Sequence, residues 1–425
     1  MTAPQYEFSI DVGGTFTDCI AHSSATIKRH KLLSSGRTLG NIEELVTEAI
    51  HDRLRVNDPV GFWVGTQLSI INVNGIDDDT KRTIIASDSA GTLTLDSPLP
   101  TSVIGQSYEI QTELSAPIIG IHHLLGIPLN ESLPPINLRL GTTRGTNALL
   151  TRTGSKTALV TTVGFKDLLE IGNQNRPKLF ELNIQKTIPL ITTSIEISER
   201  IDTHGNILQS IDRDQVRLQL ARLFAEGIES LAICLLNSFV NPEHEQVIAE
   251  IANEFPFASV SISSRVSPLI KMVPRADTTV LDAYLNPVLN AYLKQLRAAL
   301  HVDSNVRLLT SAGGLIPADQ FSGKDSILSG PAGGVVGFSH AAKRAGYTRA
   351  IGFDMGGTST DVSRFGGTYD YEYETEKSGV RIVTPMMAIE TVAAGGGSIC
   401  GFDGIKLTVG PTSAGADPGP ACYGK

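Results

Sequence analysis

The feature that most constrains this chain is an octet that occurs twice. Residues 11–18 read DVGGTFTD and residues 354–361 read DMGGTSTD, so the two copies agree at six of eight positions. The runs YEFSI and CIAHS flank the first copy, and RAIGF and VSRFGG flank the second. Strand-like runs on both sides of a glycine pair predict a strand–turn–strand hairpin in each place. Two matching hairpins so far apart predict two similar half-molecules.

The residue types in the octet suit a phosphate group. Paired glycines expose successive N–H groups and let a ligand approach the backbone closely, and neighbouring threonines add hydroxyl donors. The predicted phosphate-binding residues are Gly13, Gly14, Thr15, Thr17, Gly356, Gly357 and Thr358. Asp11 and Asp354 would repel phosphate unless a divalent cation lay between, so we predict them as the metal-binding and catalytic residues. A simple turn without a ligand is the alternative for each octet.

Further candidates lie at the ends of the octets and in other glycine-rich runs. Asp18 and Asp361 either orient water or hold their hairpins together. The runs at 328–346 and 391–400 supply pocket candidates, of which the first precedes a predicted helix whose N-terminus offers free N–H groups. These candidates are Gly333, Gly334 and Gly396. Close packing of a helix on a sheet is the alternative for all three glycines.

The segment GTTRGTN, residues 141–147, follows a predicted strand and supplies two polar candidates. Arg144 and Asn147 either line a pocket or serve as capping and turn residues. The segment EIGNQNRPKLFEL, residues 170–182, is predicted as a polar loop. The nine histidines are scattered, and they predict no metal site of their own.

Composition excludes several classes of function. The net charge is −9, and no stripe of Lys and Arg suits nucleic acid. No apolar stretch reaches the roughly 20 residues that a membrane-spanning helix needs, and the opening residues lack a secretory pattern. The four cysteines are far apart and form no CxxC pair. These observations predict a reduced, cytoplasmic protein without structural zinc.

The chain of 425 residues is long enough for two or three domains. Helical and strand-like segments alternate, which indicates an α/β fold. Residues 1–57 and 116–346 are predicted as a discontinuous first lobe, 58–115 as an all-β insert, and 347–425 as the start of a second lobe. Within these, residues 38–54 show helical periodicity, a helix near 276–300 is predicted to break or cap at Asn286-Pro287, and Trp63 is predicted in the insert core. The insert is expected to lie away from the octets.

The motifs together resemble one family. DVGGTFTDC, GTTRGTNALL, LLEIGNQNRPKLFEL, SGPAGGVVG, FDMGGTSTDV, ETVAAGGGSI and VGPTSAGADPGPACYG are similar to segments of the A-type, N-terminal module of the hydantoinase/5-oxoprolinase family. This family belongs to the acetate and sugar kinase, chaperone and actin superfamily. The resemblance implies a ribonuclease-H-like, two-lobed ATPase fold in which the second lobe is incomplete here, because the chain stops where family members continue.

The resemblance also implies a function. Family members use ATP to activate an amide or ketone oxygen before hydrolysis or carboxylation, with Mg²⁺ and in some cases a monovalent cation. The implied partners are a lactam such as 5-oxoproline or a hydantoin, a B-type hydantoinase module or subunit, and a further copy of the chain in a homo-oligomer. The favoured function is the nucleotide-binding module of an ATP-dependent cyclic-amide hydrolase. A subunit of an ATP-dependent ketone carboxylase and a non-catalytic nucleotide-dependent scaffold are the alternatives.

Overall fold

The computed structural model describes residues 6–22, 26–72, 75–175, 180–184, 186–357 and 359–414. The strands, in chain order, are β1 (Tyr6–Val12), β2 (Phe16–His22), β3 (Ile27–Leu33), β4 (Thr38–Asn41), β5 (Glu44–Val46), β6 (Ala49–Val56), β7 (Gln67–Asn72), β8 (Gly75–Ser87), β9 (Ala90–Leu95), β10 (Ser107–Gln111), β11 (Ile136–Thr142), β12 (Thr157–Thr162), β13 (Thr193–Ile197), β14 (Arg200–Ile201), β15 (Ile207–Gln209), β16 (Ser230–Cys234), β17 (Ser259–Ile262), β18 (Asn305–Leu309), β19 (Leu315–Pro317), β20 (Ala350–Met355), β21 (Thr360–Phe365), β22 (Tyr371–Glu372), β23 (Thr375–Lys377), β24 (Val380–Ile382), β25 (Met386–Met387), β26 (Glu390–Val392), β27 (Ser398–Phe402) and β28 (Leu407–Ser413). The helices are α1 (Ala116–Leu125), α2 (Arg144–Thr151), α3 (Leu168–Ile171), α4 (Arg213–Ala225), α5 (Glu243–Ala252), α6 (Ser263–Val266), α7 (Met272–Ala298) and α8 (Ser329–Arg344).

The chain divides into two compact units. The first contains Met1–Thr143, Asn290–Leu308 and Leu315–Gln320, and the second contains Arg144–Leu289, Leu309–Gly314 and Phe321–Lys425. Parallel strands with helices between them occur beside antiparallel hairpins, so the fold is mixed α/β. Among the residues described, no helix combines the length and the apolar character that spanning a bilayer requires.

A six-stranded sheet in the first unit carries the first octet. Its order is β19-β18-β11-β1-β2-β3, in which β1 is antiparallel to β2 and parallel to β11. The alternation in YEFSIDV puts Phe8, Ile10 and Val12 on one buried face, where α1 packs. Burial of each of these side chains contributes about 2 kcal/mol to stability, which fixes the register of β1 and hence the position of its polar end.

A seven-stranded antiparallel sheet in the same unit has the order β4-β10-β7-β8-β9-β6-β5. Its core includes Ile50, Phe62, Trp63 and Ile84, so the prediction that Trp63 is a core residue is confirmed. The helix predicted over residues 38–54 is wrong, because this segment forms β4, β5 and β6. The sheet therefore begins well before residue 58, and the domain boundaries stay a prediction.

The physical reason for the wrong helix is the pairing of residues distant in sequence. Ile42 and Ile50 are buried in the sheet core, whereas Leu39 and Val46 are exposed, which no single helical face would produce. Asp52 of β6 accepts hydrogen bonds from Asn41 N at 3.2 Å and from the Tyr108 hydroxyl at 2.6 Å. Pairing with β10 and β9 outweighs the local helical pattern.

The second unit contains a parallel sheet of order β13-β12-β16-β17, whose core is completed by side chains of α4 and α5. The second octet also lies in this unit, in the antiparallel sheet β20-β21-β26, on which α8 packs. The break predicted in α7 at Asn286-Pro287 is wrong, since the helix continues through Pro287. Side-chain bonds support the helix there: Asn286 Nδ2 donates to Asp282 Oδ2 at 3.0 Å, and Asn286 Oδ1 accepts from Gly323 N at 2.7 Å.

Candidate functional site

Both octets form the predicted hairpins, and the two hairpins have the same register. Asp11 lies opposite Asp18 in the first, and Asp354 lies opposite Asp361 in the second. Each turn is closed by one backbone bond, from Gly13 N to Phe16 O at 3.0 Å and from Gly356 N to Ser359 O at 2.9 Å. The prediction of two strand–turn–strand repeats is therefore confirmed.

The tip of each turn is open. Gly14 and Gly357 are exposed, and a Cβ added at either would meet no atom within 4 Å. Neither glycine has a positive φ, so the backbone conformation does not require glycine at these positions. What the two positions share is open space around the Cα atom. Within the described part of the chain, the N–H groups of Gly14, Thr15 and Gly357 donate no hydrogen bond. Such exposed N–H groups at a turn can receive an anion.

Asp11 lies at the polar end of β1. Its backbone pairs with Gly141 of the neighbouring parallel strand β11, and its carboxylate lies over that glycine. A Cβ added to Gly141 would be 2.8 Å from Asp11 Oδ1. A larger residue at 141 would therefore displace the carboxylate, so Gly141 is a positioning residue that sequence reasoning did not single out. Gly141 is the first residue of the motif GTTRGTN, but the sequence does not show that it pairs with Asp11.

The structure gives Thr17 a different environment from the one expected of a phosphate ligand. Thr17 is fully buried, and its Oγ1 lies 2.9 Å from Ser34 Oγ. Ser34 in turn donates through Oγ to Gly13 O at 2.8 Å and through its N–H to Thr15 O at 2.9 Å. Thr17 and Ser34 thus hold the turn from behind. Thr358, which occupies the position of Thr15 in the second octet, lies outside the described residues.

Asp18 and Asp361 are bound by side chains of the strand next to each hairpin, Lys31 of β3 and Thr391 of β26. Both carboxylate oxygens of Asp18 accept from Lys31 Nζ at 3.0 Å, and Asp361 Oδ1 accepts from the Thr391 hydroxyl at 2.7 Å. These contacts join each hairpin to the neighbouring strand of its sheet, and the two roles of Asp18 and Asp361 stay predictions. Cys19, next to Asp18, is buried, and burial together with the Asp18 charge raises the pKa of its thiol to about 12. This thiol is therefore not a nucleophile near neutral pH.

Gly396 supports the second octet directly. Its N–H donates to Gly356 O at 2.9 Å, and Gly397 N donates to Gly357 O at 2.8 Å. The Thr360 hydroxyl also donates to Ala394 O at 2.5 Å. The glycine-rich run at 391–400 is thus the backing of the turn, which leaves the opposite side of Gly357 exposed.

The remaining candidates lie on helices of the second unit. A Cβ on Gly333 would meet Leu309 Cδ2 at 2.7 Å, which is the packing alternative, whereas Gly334 is exposed with no atom within 4 Å. Arg144 and Asn147 are exposed on the first turn of α2, three residues apart and so on one face. Both have interactions with neighbouring groups.

The first octet also borders a cleft of about 240 Å³. Phe16 of the octet lines it together with Phe62 and Trp63, which lie in the turns between β6 and β7. The insert therefore does not lie away from the octet, contrary to the expectation from sequence. Stacked rings of His30 and His123, with centroids 3.8 Å apart, lie in the same cleft. Burial, reinforced by His123, lowers the pKa of His30 to about 4.

The carboxylates beside the two turns are the candidate ligands for Mg²⁺. Asp11 and Asp354 are both exposed carboxylates beside an open turn, and hard oxygen donors of this kind suit Mg²⁺. In the part of the chain that the structure describes, no cluster of three or more His, Cys, Asp or Glu residues forms a metal cage. Each carboxylate therefore suits an ion that a phosphate group at the same turn would also bind.

Comparison with known proteins gives a consistent result. The family model described as Hydantoinase/oxoprolinase matches residues 275–425, and the model of its N-terminal region matches residues 101–255. The 5-oxoprolinase of Saccharomyces cerevisiae is 43% identical over 350 residues, which cover 73% of this chain and 27% of that protein. The chain thus spans about a quarter of the length of this relative.

Two solved structures share the fold. The ATP-dependent caprolactamase from Pseudomonas jessenii has a TM-score of 0.68 at 26% identity, covering 99% of this chain and 52% of that chain. A nucleotide-free acetone carboxylase has a TM-score of 0.62 at 21% identity, covering 96% and 51%, and this likeness concerns the fold alone. The two family models, with the sequence identity and the matching octets, show that the chain belongs to the hydantoinase/oxoprolinase family.

Proposed function

We propose that this chain is the nucleotide-binding module of an ATP-dependent hydrolase of cyclic amides. The observation that carries the proposal is the pair of hairpins with one register, each with an exposed aspartate beside a turn whose N–H groups are open to an anion. The names of the relatives, a 5-oxoprolinase and an ATP-dependent caprolactamase, support a lactam as the substrate.

We infer a two-lobed, ribonuclease-H-like arrangement for the module. The six-stranded sheet supports it, because an antiparallel unit β1-β2-β3 is continued by the parallel strands β11 and β18. The second octet heads a similar antiparallel unit, β20-β21-β26. A B-type module or subunit would complete the active site, in keeping with the share of the relatives that this chain spans.

The chemistry follows from the stability of the amide bond. Resonance protects a lactam carbonyl, so transfer of a phosphoryl group from ATP to its oxygen converts that oxygen into a leaving group. Water then adds to the activated carbon, and the C–N bond breaks as the ring nitrogen takes up a proton and leaves as the amine, which opens the ring. A second water hydrolyses the resulting acyl phosphate to a carboxylate and phosphate. In each unit, the N–H groups of the turn (Gly14 and Thr15 in the first, Gly357 in the second) would bind phosphate oxygens, and the aspartate beside that turn, Asp11 or Asp354, would hold a cation. Mg²⁺, when bound, neutralises charge between these carboxylates and the phosphates.

The first experiment tests nucleotide binding at the turns. Calorimetric titration of the chain with ATP should show binding with Mg²⁺ and binding weaker by at least tenfold in EDTA. Gly14→Val and Gly357→Val should each weaken binding at least 100-fold, because the side chain fills the space that phosphate needs. Their thermal stability should stay near that of the parent, since a Cβ at 14 or 357 meets no protein atom.

The matched control is Gly366→Val, at an exposed glycine of the second unit that also has open space and no positive φ. This variant should bind ATP as the parent does. Equal binding in EDTA, or unchanged binding in both octet variants, would show that the octets are structural turns.

The second experiment tests the reaction. ATP hydrolysis is followed with 5-oxoproline, with a ketone plus bicarbonate, and with neither, each with and without a B-type partner. We expect stimulation by 5-oxoproline in the presence of the partner. Stimulation by the ketone and bicarbonate alone would instead assign the carboxylase function, and nucleotide binding without stimulation by either would assign a scaffold.

A further inference from the structure

The second unit contains a cleft whose lining includes no residue of either octet. It has a volume of about 230 Å³ and is lined by residues 169–175, by α7, by residues 186–190 except 188 and by the hairpin β23–β24. Residues 170–175 are the polar motif EIGNQN, for which the nucleotide site gives no role. Converging polar groups in a concave site are the usual mark of a small-molecule pocket.

One wall of the cleft is made of amide side chains. Asn173, Gln174 and Asn175 are consecutive and exposed, and all three line it. Gln174 has a φ of 56°, and Ser378, in the turn of the opposite hairpin, has a φ of 52°. Residues with a Cβ rarely adopt this left-handed conformation, and such strain is concentrated at binding sites. The hairpin turn is held by a bond from Arg152 Nη2 to Ser378 O at 3.1 Å.

The other wall contains an acid and a guanidinium. Asp277 lies on α7 facing the cleft, and its carboxyl makes no hydrogen bond within the described part of the chain. Arg381 has a side chain that is only 15% exposed, and its ion pair with Glu374 is long, 3.5 Å from Nε to Oε1. The donors of Arg381 also lack hydrogen bonds among the described residues. Both groups thus keep bonding capacity for a ligand in the cleft.

Burial, modified by neighbouring charges, sets the protonation state of Asp277 in the cleft. Burial raises its pKa to about 7, with Arg381 opposing the rise and Glu376 adding to it. From the other side the cleft is lined by Glu170 and Lys186, of which Lys186 Nζ donates to Glu170 O at 2.9 Å. A carboxyl with this pKa is half neutral at pH 7, so it can donate a hydrogen bond to a carbonyl oxygen and tolerate an anion nearby.

We propose that this cleft binds a small molecule that carries both an amide and a carboxylate. Arg381 pairs with the ligand carboxylate, and neutral Asp277 donates to the amide oxygen. The side chains of Asn173, Gln174 and Asn175 supply the donors and acceptors that match the rest of the amide. The choice of a cyclic amide as the ligand rests on the proposed function, but the cleft itself does not depend on the octets.

The experiment titrates the chain, without nucleotide, with three probes. 5-Oxoproline carries the lactam and the carboxylate, 2-pyrrolidinone carries only the lactam, and proline has a carboxylate but no lactam carbonyl. We expect 5-oxoproline to bind at least tenfold more tightly than either of the others. Equal binding of all three, or no binding of 5-oxoproline at millimolar concentration, would overturn the proposal.

Variants assign the roles. Arg381→Gln should remove the tighter binding of 5-oxoproline relative to 2-pyrrolidinone. Asp277→Ala should weaken the binding of both lactams at least tenfold. Because Arg381 also faces Glu374, Asn173→Ala on the exposed loop provides a test that leaves this pair intact, with an expected loss of three- to tenfold. Glu250→Gln, on the exposed face of α5, is the matched control and should bind as the parent does. Unchanged 5-oxoproline binding in all three cleft variants would contradict the assignment.

The pH profile separates a direct role of Asp277 from a structural one. Affinity for 5-oxoproline should fall as pH rises from 6 to 8, because the ionised carboxylate repels the ligand carboxylate and no longer donates. Asp277→Asn keeps a donor and carries no charge, so its binding should be independent of pH in this range. A parent profile that is flat, or a variant profile that matches the parent, would overturn the role of Asp277.

ATP titrated into the same samples distinguishes the two proposals. Intact ATP binding together with no binding of 5-oxoproline overturns the cleft and leaves the nucleotide site standing. If 5-oxoproline binds and the cleft variants weaken it as expected, but ATP does not bind, the cleft proposal is supported and the octet assignment is overturned.

Discussion

Replacement of Gly141 by alanine is the sharpest test of the metal-binding role of Asp11. The two residues pair across parallel strands, and the new Cβ would be 2.8 Å from Asp11 Oδ1. Non-bonded heavy atoms are comfortable at about 3.5 Å, so the carboxylate must move by roughly 0.7 Å. The atom that moves is the end of a short side chain and not backbone, so the change acts mainly on the position of the carboxylate.

Two magnitudes follow from this geometry. Turning the Asp11 side chain away from its preferred conformation costs on the order of 1 kcal/mol, so the folded state should persist. A misplacement approaching 1 Å at a reacting or binding group reduces its effect by up to about 100-fold. We therefore expect Gly141→Ala to weaken Mg²⁺-dependent ATP binding on the order of tenfold, with little effect on the binding that remains in EDTA.

The assay is calorimetric titration with ATP in the presence and absence of Mg²⁺, combined with Asp11→Asn. If Gly141 acts through Asp11, the double variant should bind no more weakly than Asp11→Asn alone. Additive losses in the double variant, or a loss in Gly141→Ala that is as large in EDTA as in Mg²⁺, would refute the reasoning. Gly366→Ala is the control for a glycine substitution at an open position and should leave both titrations unchanged.

Two further predictions concern stability. Glu245 is fully buried, and its carboxylate accepts hydrogen bonds from Leu235 N, the Ser263 hydroxyl and Ser264 N at 3.0, 2.6 and 2.9 Å. Glu245→Ala leaves these three donors without their acceptor. The free energy of unfolding, measured in urea, should therefore fall by about 3–5 kcal/mol. Glu250→Ala on the exposed face of the same helix should cost less than about 1 kcal/mol, and similar losses in the two variants would contradict this account. The folded pKa of His30, about 4, lies below its ordinary value of 6.5, so the unfolded chain takes up the proton first and stability should fall as pH drops from 6.5 to 4. His30→Phe should reduce this loss in melts recorded across that range, and an unchanged acid limb would show that His30 is not its cause.

Local sequence was sufficient to predict the two hairpins. A strand, a glycine pair and a returning strand specify a turn within eight residues, and the alternation in YEFSIDV specifies which face is buried. The α/β class and the core position of Trp63 followed from similarly local patterns. Because both octets carry the same signal, their registers also agree.

Local sequence failed where distant segments decide the outcome. Residues 38–54 have a helical pattern, but pairing with strands 41 to 72 residues away makes them part of a sheet. Thr17 has the residue type of a phosphate ligand, yet its position in β2 turns it toward Ser34 and away from solvent. In each case the residue type permitted two roles, and burial against another segment selected one.

The candidate sites show the same division between local pattern and tertiary structure. The sequence by itself determined that Asp11 and Asp354 stand beside glycine turns, because those residues are adjacent in the chain. Only the tertiary structure placed Gly141 beneath Asp11, through the pairing of strands 130 residues apart. It alone brought Asp277 and Arg381 to the loop at 173–175. The physical reason is that backbone pairing and burial act between segments whose separation along the chain no local pattern encodes.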